Sequence, residues 1–250
     1  MPPVLETSGL VKRFGGIVAA SDVSLKIEKG ARHALIGPNG AGKTTIVNLL
    51  TGVLRPTAGQ ILLDGHDITR VEPHERVHLG IARTFQINQL FGDLTPIESV
   101  GLAVSERMGT GAQWWRVVGG KADIVEEIVG VLEQFHLADV MHQRTAVLPY
   151  GKQRLLEMAL AIACRPRVLL LDEPAAGIPA SERHEILETI ARLPKDVTVV
   201  LIEHDMDLVF SFADRISVLV NGSLFVEGTP DEVAHDTRVK AVYLGEALDV

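Results

Sequence analysis

Nine consecutive residues carry the clearest chemistry in this sequence. Gly37-Pro38-Asn39-Gly40-Ala41-Gly42-Lys43-Thr44-Thr45 matches the G-x-x-x-x-G-K-[ST] pattern at every fixed position. Its glycines let the backbone turn so that successive N–H groups face one anion, and a following helix adds the positive end of its dipole. We therefore expect Lys43 to lie along the β- and γ-phosphates of a nucleotide, and the Thr44 hydroxyl to ligate Mg²⁺.

Two acids and a histidine could act on such a nucleotide. Asp172 and Glu173 follow four apolar residues, Val168 to Leu171, which predict a strand buried on both faces. Asp172 suits the outer shell of Mg²⁺, and Glu173 suits polarising a water aimed at the γ-phosphate. His204 comes just after a second buried strand, predicted over Val197 to Ile202, where it could bind a γ-phosphate oxygen or position the water.

Three further candidates each have two interpretations. Phe14, which precedes two glycines, could stack on adenine or end a strand in the core. Gln86 follows a predicted strand, Ile81 to Phe85, and could reach the metal or the attacking water, or be an ordinary loop glutamine. Gly151 precedes a predicted helix, Arg154 to Ala163, and could bring backbone N–H groups close to an anion.

The apolar patterns predict strands that alternate with helices around these residues. A strand ending at Ile36 and a helix over Ile46 to Leu50 flank the nine-residue run. The region from Pro96 to about Leu137 has helical spacing, interrupted by a glycine-bounded loop that contains Trp114 and Trp115. That tryptophan pair could dock a partner or pack on its own helices. The remaining predictions are a strand over Val23 to Ile27, hairpins at Asp64-Gly65 and Asn221-Gly222, and two short helices at the end of the chain.

Composition narrows the class of protein. The chain has 250 residues and a formal net charge of −8, which argues against a nucleic-acid binder. Its one cysteine, Cys164, lies among apolar residues and is predicted to be a buried small side chain, with a reactive thiol as the alternative. No signal pattern and no run of ~20 apolar residues is present, so we expect a cytoplasmic chain whose membrane role comes through a partner.

In this order, the motifs resemble the nucleotide-binding subunit of ATP-binding cassette (ABC) transporters. The resemblance runs nearly end to end, and it implies that the cofactors are ATP and Mg²⁺. It implies that Phe14 stacks on adenine, that Gln86 belongs to the Q-loop and contacts Mg²⁺, and that His204 is the switch histidine. Glu173 corresponds to the catalytic glutamate, and the segment Leu148 to Gln153 corresponds to the signature motif.

The resemblance also implies a fold and its subdivision. We expect an α/β P-loop NTPase with a RecA-like core, an N-terminal antiparallel β subdomain and a helical subdomain that carries the signature motif. Residues 1–250 would form a single nucleotide-binding domain, with 1–90 and 165–250 as the catalytic core and about 91–164 as the helical subdomain.

A narrower resemblance is to subunits that energise import of branched-chain and other hydrophobic amino acids. It rests on motifs that catalysis does not require: Arg83-Thr84-Phe85-Gln86, Tyr150-Gly151, Glu173-Pro174-Ala175-Ala176-Gly177, Glu203-His204-Asp205-Met206 and Tyr243-Leu244-Gly245-Glu246-Ala247. This implies transmembrane permease subunits as partners and a peripheral position on the cytoplasmic face of the membrane. The alternatives are a soluble ABC ATPase of an assembly system, such as the iron–sulphur scaffold type, and a nucleotide-gated clamp with little turnover.

Two departures from the family pattern concern a second ATPase subunit. Pro149 stands where the signature usually has a serine that contacts the γ-phosphate bound to the other subunit, and Pro179 stands where an Asp or Asn is usual. Both losses affect residues, like Gly151, that would act in trans. We therefore predict a heterodimer, with a homodimer possible in isolation. The site built on Lys43 and Glu173 would hydrolyse ATP well and the reciprocal site poorly.

Overall fold

The fold is described from a computed structural model over residues 3–84, 90–110 and 122–244. The chain forms two compact units. The first unit comprises Met1–Ile81, Arg167–Glu173 and Pro194–Val250, and the second comprises Ala82–Pro166 and Pro174–Leu193. The subdomain boundaries near residues 90 and 165 were predicted from the sequence, and they stay a prediction.

An antiparallel sheet forms the start of the first unit. Its strands in the described part of the chain are β1 (Pro3–Phe14), β2 (Ile17–Val23), β3 (Lys26–Glu28), β5 (Ala58–Leu63) and β6 (His66–Asp67). The long β1 pairs with β2, β3 and β5, and β5 turns into β6 at the predicted Asp64-Gly65 hairpin. The predicted strand over Val23 to Ile27 is wrong. β2 ends at Val23 and β3 begins at Lys26. Between them, the Leu25 N–H donates to the side-chain hydroxyl of Thr7 in β1 and not to a backbone carbonyl, while the Thr7 N–H donates to the Leu25 carbonyl oxygen.

A second sheet positions the nine-residue run Gly37 to Thr45, which is called the phosphate loop below. Its order is β11-β10-β4-β9-β8-β7, and β10, β4, β9 and β8 run parallel. The strands are β4 (Arg32–Ile36), β7 (Ile81–Arg83), β8 (Val168–Asp172), β9 (Thr198–Ile202), β10 (Arg215–Val220) and β11 (Ser223–Gly228). All residues of β8 and β9 are buried, as their unbroken apolar runs predict.

Strand β4 is covered on both faces. Leu35 packs into one hydrophobic cluster with the helix that follows the phosphate loop, whereas Ala34 and Ile36 pack into another cluster with the C-terminal helices. Because successive side chains point to opposite faces, both faces of β4 become buried. The loop after Ile36 therefore begins from a strand that is fixed on both sides.

Most helices in the described part of the chain were predicted, but those at Pro73–His78, Ala180–Ala191 and Met206–Phe212 were not. They are α1 (Lys43–Leu50), α2 (Pro73–His78), α3 (Pro96–Arg107), α4 (Ala122–Gln134), α5 (Tyr150–Ala163), α6 (Ala180–Ala191), α7 (Met206–Phe212), α8 (Pro230–His235) and α9 (Thr237–Leu244). Helix α5 begins at Tyr150 and not at the predicted Arg154, because Pro149 has the extended backbone of an N-cap residue. Gly151 therefore lies in the first turn of α5. In the described ranges, no helix has the length and apolarity needed to cross a bilayer.

Candidate functional site

The phosphate loop joins β4 to α1 with the geometry that its glycines allow. Gly37, Gly40 and Gly42 have φ angles of 152°, 80° and 99°, in the region that favours glycine. A Cβ atom at Gly37 would lie 2.2 Å from the Leu219 carbonyl oxygen, and one at Gly42 would lie 2.5 Å from that of Ala19. Gly37 and Gly42 are therefore required for two reasons: their φ angles favour glycine, and a Cβ atom would collide with neighbouring backbone.

The start of α1 presents free donors. Within the described residues, the backbone N–H groups of Gly42, Lys43, Thr44 and Thr45 donate to no protein acceptor. Gly42 is the N-cap residue and supplies no side-chain cap. These N–H groups and the helix dipole together form an anion-binding site.

Lys43 lies within this loop. Its Nζ donates to the carbonyl oxygens of Gly37 at 2.6 Å and Pro38 at 3.2 Å. Partial burial lowers the pKa of Lys43, and the carboxylates of Glu173 and Asp172 oppose that change. The ammonium group is therefore close enough to the two acids for their charges to affect it, as the sequence predicts for one common site.

The predicted acidic pair occupies the carboxyl end of β8. Asp172 is buried, with 4% of its surface exposed, and Glu173 adopts a left-handed backbone with φ of 47°. The N–H of Glu173 donates to the Ile202 carbonyl oxygen at 2.9 Å, which fixes this turn to β9. The left-handed conformation is uncommon for a residue other than glycine and is concentrated at functional sites.

His204 lies beside this pair. Its Nδ1 atom is 3.8 Å from Glu173 Oε1 and 3.7 Å from Glu203 Oε2. The buried Glu203 also accepts a hydrogen bond from the backbone N–H of His204 at 3.1 Å. Glu203 was not predicted as a site residue, although it directly follows the buried strand β9.

One cavity of about 450 Å³ brings much of this site together. Its lining consists of Ile17, Val18, Ala19, Asn39, Gly40, Ala41, Gly42, Lys43, Thr44, Thr45, Glu173, Asn221 and Gly222. The contributions of Ile17 to Ala19 and of the Asn221-Gly222 turn were not predicted. They come from β2 and the β10–β11 hairpin, which approach the loop only in the folded chain.

Phe14 is placed near the cavity but is not among its lining residues. It ends β1 directly opposite Ile17, and 46% of its surface is exposed. The Nζ atom of Lys12 lies 5.1 Å from the centre of the Phe14 ring. This exposure argues against the alternative that Phe14 is a core residue.

The remaining candidates lie elsewhere in the chain. Gly151 belongs to the second unit, and a Cβ atom there would lie 2.3 Å from Glu182 Oε2. Gln86, Trp114 and Trp115 lie outside the described residues. Cys164 is partly buried, and burial raises the pKa of its thiol, which argues against a reactive thiolate.

Comparisons with known proteins agree with this geometry. The family described as "ABC transporter" matches residues 20–176, and the one described as "Branched-chain amino acid ATP-binding cassette transporter" matches residues 224–249. The high-affinity branched-chain amino acid transport ATP-binding protein BraF of Pseudomonas aeruginosa is 40% identical, over 98% of this chain and 99% of its own. The corresponding LivG of Escherichia coli is 37% identical over the same shares.

A solved structure shows the same fold. The crystal structure of the ADP conformation of an ATP-binding cassette of an ABC transporter superposes with a TM-score of 0.83 at 31% identity, over 98% of this chain and 100% of that one. The α/β fold of a P-loop ATPase is thereby confirmed. The chain belongs to the ABC transporter family, as one of the ATPase subunits in its branched-chain amino acid group.

Proposed function

We propose that this chain hydrolyses ATP to power the import of branched-chain or other hydrophobic amino acids by an ABC transporter. The single observation that carries this proposal is the cavity in which the phosphate loop and Glu173 face each other. The names of BraF and LivG, which match almost the whole chain, favour transport over the assembly-system and clamp alternatives.

The residues present fit Mg-ATP. The free N–H groups of Gly42 to Thr45 would bind phosphate oxygens, and Lys43 would exchange its carbonyl partners for the β- and γ-phosphates. Mg²⁺ prefers hard oxygen ligands and keeps several waters, which suits the Thr44 hydroxyl and, through water, Asp172. The metal would neutralise the charge that develops on the phosphates.

Hydrolysis would use the acids and the histidine. Glu173, which reaches the cavity, would accept a proton from the water that attacks the γ-phosphorus, so that ADP and phosphate are released. His204, 3.8 Å from Glu173, would hold a γ-phosphate oxygen or the same water. We assign Gln86 to Mg²⁺ and to the attacking water because of the family resemblance.

The adenine base would lie on the β1–β2 side of the cavity. Ile17 and Val18 line it, and the exposed ring of Phe14 lies across the strand pair from Ile17. An aromatic ring and a branched aliphatic side chain together offer the apolar surface that a base requires.

The second ATPase subunit would use the signature segment in trans. Gly151 in the first turn of α5 would meet the γ-phosphate held by that subunit. Pro149 supplies neither a hydroxyl nor an N–H at the N-cap, and Pro179 likewise begins α6 without a side-chain cap. This supports a heterodimer with one strong and one weak hydrolysis site, although a homodimer could form in isolation.

Permease subunits would dock on the second unit. Phe91 and Val147 are about 70% exposed (71% and 70%), and their segments lie side by side because the Ala146 N–H donates to the Gly92 carbonyl oxygen at 3.0 Å. Exposed apolar side chains that lie together mark interaction surfaces. The chain would thereby be held peripherally at the cytoplasmic face of the membrane.

Uptake and association together test this proposal. Cells that depend on this chain should accumulate labelled leucine, isoleucine or valine, and a Lys43→Ala variant should reduce uptake to background while still co-purifying with a polytopic membrane protein. An exposed substitution on α6, Glu188→Gln, serves as the matched control and should leave uptake intact. Co-purification with a soluble assembly complex and no membrane protein would contradict the proposal.

A further inference from the structure

The ring of Phe14 at the end of β1 is covered on one side by a cation from the same strand. The Nζ atom of Lys12 lies over the ring, 5.1 Å from its centre. A cation within about 6 Å of an aromatic centre is attracted to the face of the ring. Lys12 and Phe14 therefore form a cation–π contact, which favours one placement of the ring relative to the ammonium group.

The ammonium group is itself held by the segment that joins α1 to β5. Lys12 Nζ donates to the Arg55 carbonyl oxygen at 2.8 Å. The same segment is tied to β1 by two backbone donors. The Thr57 N–H donates to the Val11 carbonyl oxygen at 2.7 Å, and the Arg13 N–H donates to Thr57 Oγ1 at 3.1 Å. These contacts fix the ammonium group relative to the end of β1.

This arrangement leaves part of the Phe14 ring open to a ligand. Although Lys12 lies over the ring, 46% of the surface of Phe14 remains exposed. Phe14 pairs directly with Ile17 of β2, and Ile17 lines the cavity of the phosphate loop. Side chains at opposite positions of an antiparallel pair are close neighbours. The open part of the ring is therefore next to the cavity wall where the proposed function places the adenine base.

We infer that Lys12 is a positioning residue for the nucleobase, which holds the exposed Phe14 ring in one orientation for stacking on a purine. A ring that is ordered before binding reduces the entropy that binding would otherwise lose. Lys12 thereby links the base to the segment that follows α1, the helix whose N-terminus would bind the phosphates. The inference rests on the proposed function, because it requires a base beside Phe14.

Ligands with and without a base test the inference. Mg-ADP and Mg-pyrophosphate share two phosphates, but only Mg-ADP carries a base. Lys12→Met removes the charge and should weaken Mg-ADP binding about threefold, the size expected of an exposed cation–π contact. Mg-pyrophosphate binding should stay unchanged, which also shows that the variant is folded. Lys12→Arg keeps a cation and should restore Mg-ADP binding.

Isothermal titration calorimetry measures these affinities. An unchanged affinity of Lys12→Met for Mg-ADP would overturn the inference. Equal losses for the two ligands would also overturn it, because a lysine that acts on the phosphates would produce that result. Lys26→Met is the matched control, since Lys26 is an exposed lysine of the same sheet, 3.6 Å from Glu6. It should alter the binding of neither ligand.

A double-mutant cycle separates an effect through the ring from an effect on the sheet. In the Phe14→Leu background, Lys12→Met should cause no further loss of Mg-ADP affinity, because the ring that Lys12 holds is absent. The same loss in both backgrounds would overturn the inference. Failure of the wild type to bind Mg-ADP at all would instead overturn the proposed function.

Discussion

Under the proposed function, helices α1 and α5 would both begin at a phosphate, yet the residues at their N-termini differ. Neither has a side-chain cap, since their N-cap residues are Gly42 and Pro149. By contrast, α3, α7 and α8 are capped by the side chains of Thr95, Asp205 and Thr229. An uncapped N-terminus leaves donors for a ligand, at a cost to helix stability.

The surroundings of the two N-termini differ in charge. At α1, Lys43 supplies a cation and Thr44 a hydroxyl, and Glu173 faces them across the cavity. At α5, Pro149 supplies no hydroxyl, and the Glu182 carboxylate lies against Gly151. A carboxylate there opposes the binding of a second anion. Under the proposed function, the chain has the residues that bind its own nucleotide, but it lacks the signature hydroxyl that would contact the nucleotide of the other subunit.

The largest effect should come from Glu173 on the α1 side. Glu173→Gln should lower the ATPase rate of the assembled transporter about a thousandfold, because a general base contributes roughly 10²–10⁴. Mg-ADP binding should persist, since the phosphate loop is unchanged. Steady-state phosphate release and equilibrium binding measure the two quantities. If most ATPase activity survived, the stronger hydrolysis site would be the one that uses the other subunit's phosphate loop.

The C-terminal ends of α1 and α5 offer the next contrast. Buried Arg76 donates to the carbonyl oxygens of Leu49 and Leu50 at the end of α1, and to two further carbonyls. Arg107 donates to Ala163 O at the end of α5, and also pairs with Glu127. Arg76→Met should lower the free energy of unfolding by about 4 kcal/mol, because several buried acceptors lose charged donors.

The matched variant Arg107→Met should cost less, about 1.5 kcal/mol, since this pair is partly exposed and Glu127 retains Arg165. Urea denaturation measures both variants. Equal losses would show that burial of the guanidinium at α1 adds nothing to its capping role.

Acid should affect the two units at different pH. Burial lowers the pKa of His33, in β4, from 6.5 to about 4, so the unfolded chain binds its proton first as pH falls. The contribution of neutral His33 to the free energy of unfolding is complete above pH 6.5 and is lost between pH 6.5 and pH 4. The loss is about 2 kcal/mol at pH 5 and about 3 kcal/mol in total. In the second unit, hydrogen bonds from Arg107 lower the pKa of Glu127, so its contribution is lost only below its ordinary value of 4.5.

Urea denaturation of wild type and His33→Gln at about pH 7 and about pH 5 tests this contrast. Gln keeps a donor for Ser217, whose Oγ is 2.8 Å from His33 Nε2. The loss of stability between the two pH values should be about 2 kcal/mol smaller in the variant. An identical loss in both proteins would show that other groups carry the acid sensitivity.

The smallest effect should come from restoring a hydroxyl at α5. Pro149→Ser should stabilise the helix start by about 1 kcal/mol through an N-cap hydrogen bond. It should also raise the ATPase rate of the assembled transporter severalfold, by serving the weaker site. Pro149→Ala separates the gain of a hydroxyl from the loss of proline. If Ala matched Ser in both measurements, the missing hydroxyl would not explain the contrast between the helices.

Local pattern was enough to predict the parts of the site that lie next to each other in the chain. The strand before Gly37 and the helix after it follow from apolar spacing. The approach of His204 to Glu173 also follows, because both residues end parallel strands and such ends meet at one sheet edge. These predictions required only that each segment be assigned as a helix or a strand and that the residue at its end be identified.

Contacts between distant segments could not be predicted. Ile17 and Asn221 reach the cavity only after the antiparallel sheet and the β10–β11 hairpin have packed beside the loop. The burial of Arg76 could not be predicted, because it lies in a short polar helix. Its four acceptors are backbone carbonyl groups, which are present in every residue and therefore leave no sequence pattern. The start of α5 was missed because Gly151 and Pro149 are poor helix formers, although proline fits the N-cap conformation found there.

The left-handed backbone of Glu173 has a consequence for selection experiments. Glycine adopts a φ of 47° freely, whereas glutamate there costs about 1 kcal/mol or more, and the following Pro174 restricts it further. Glu173→Gly should therefore melt at a higher temperature than the wild type while losing hydrolysis. A library screened for heat resistance alone would enrich inactive variants at this position, so activity has to be scored in parallel.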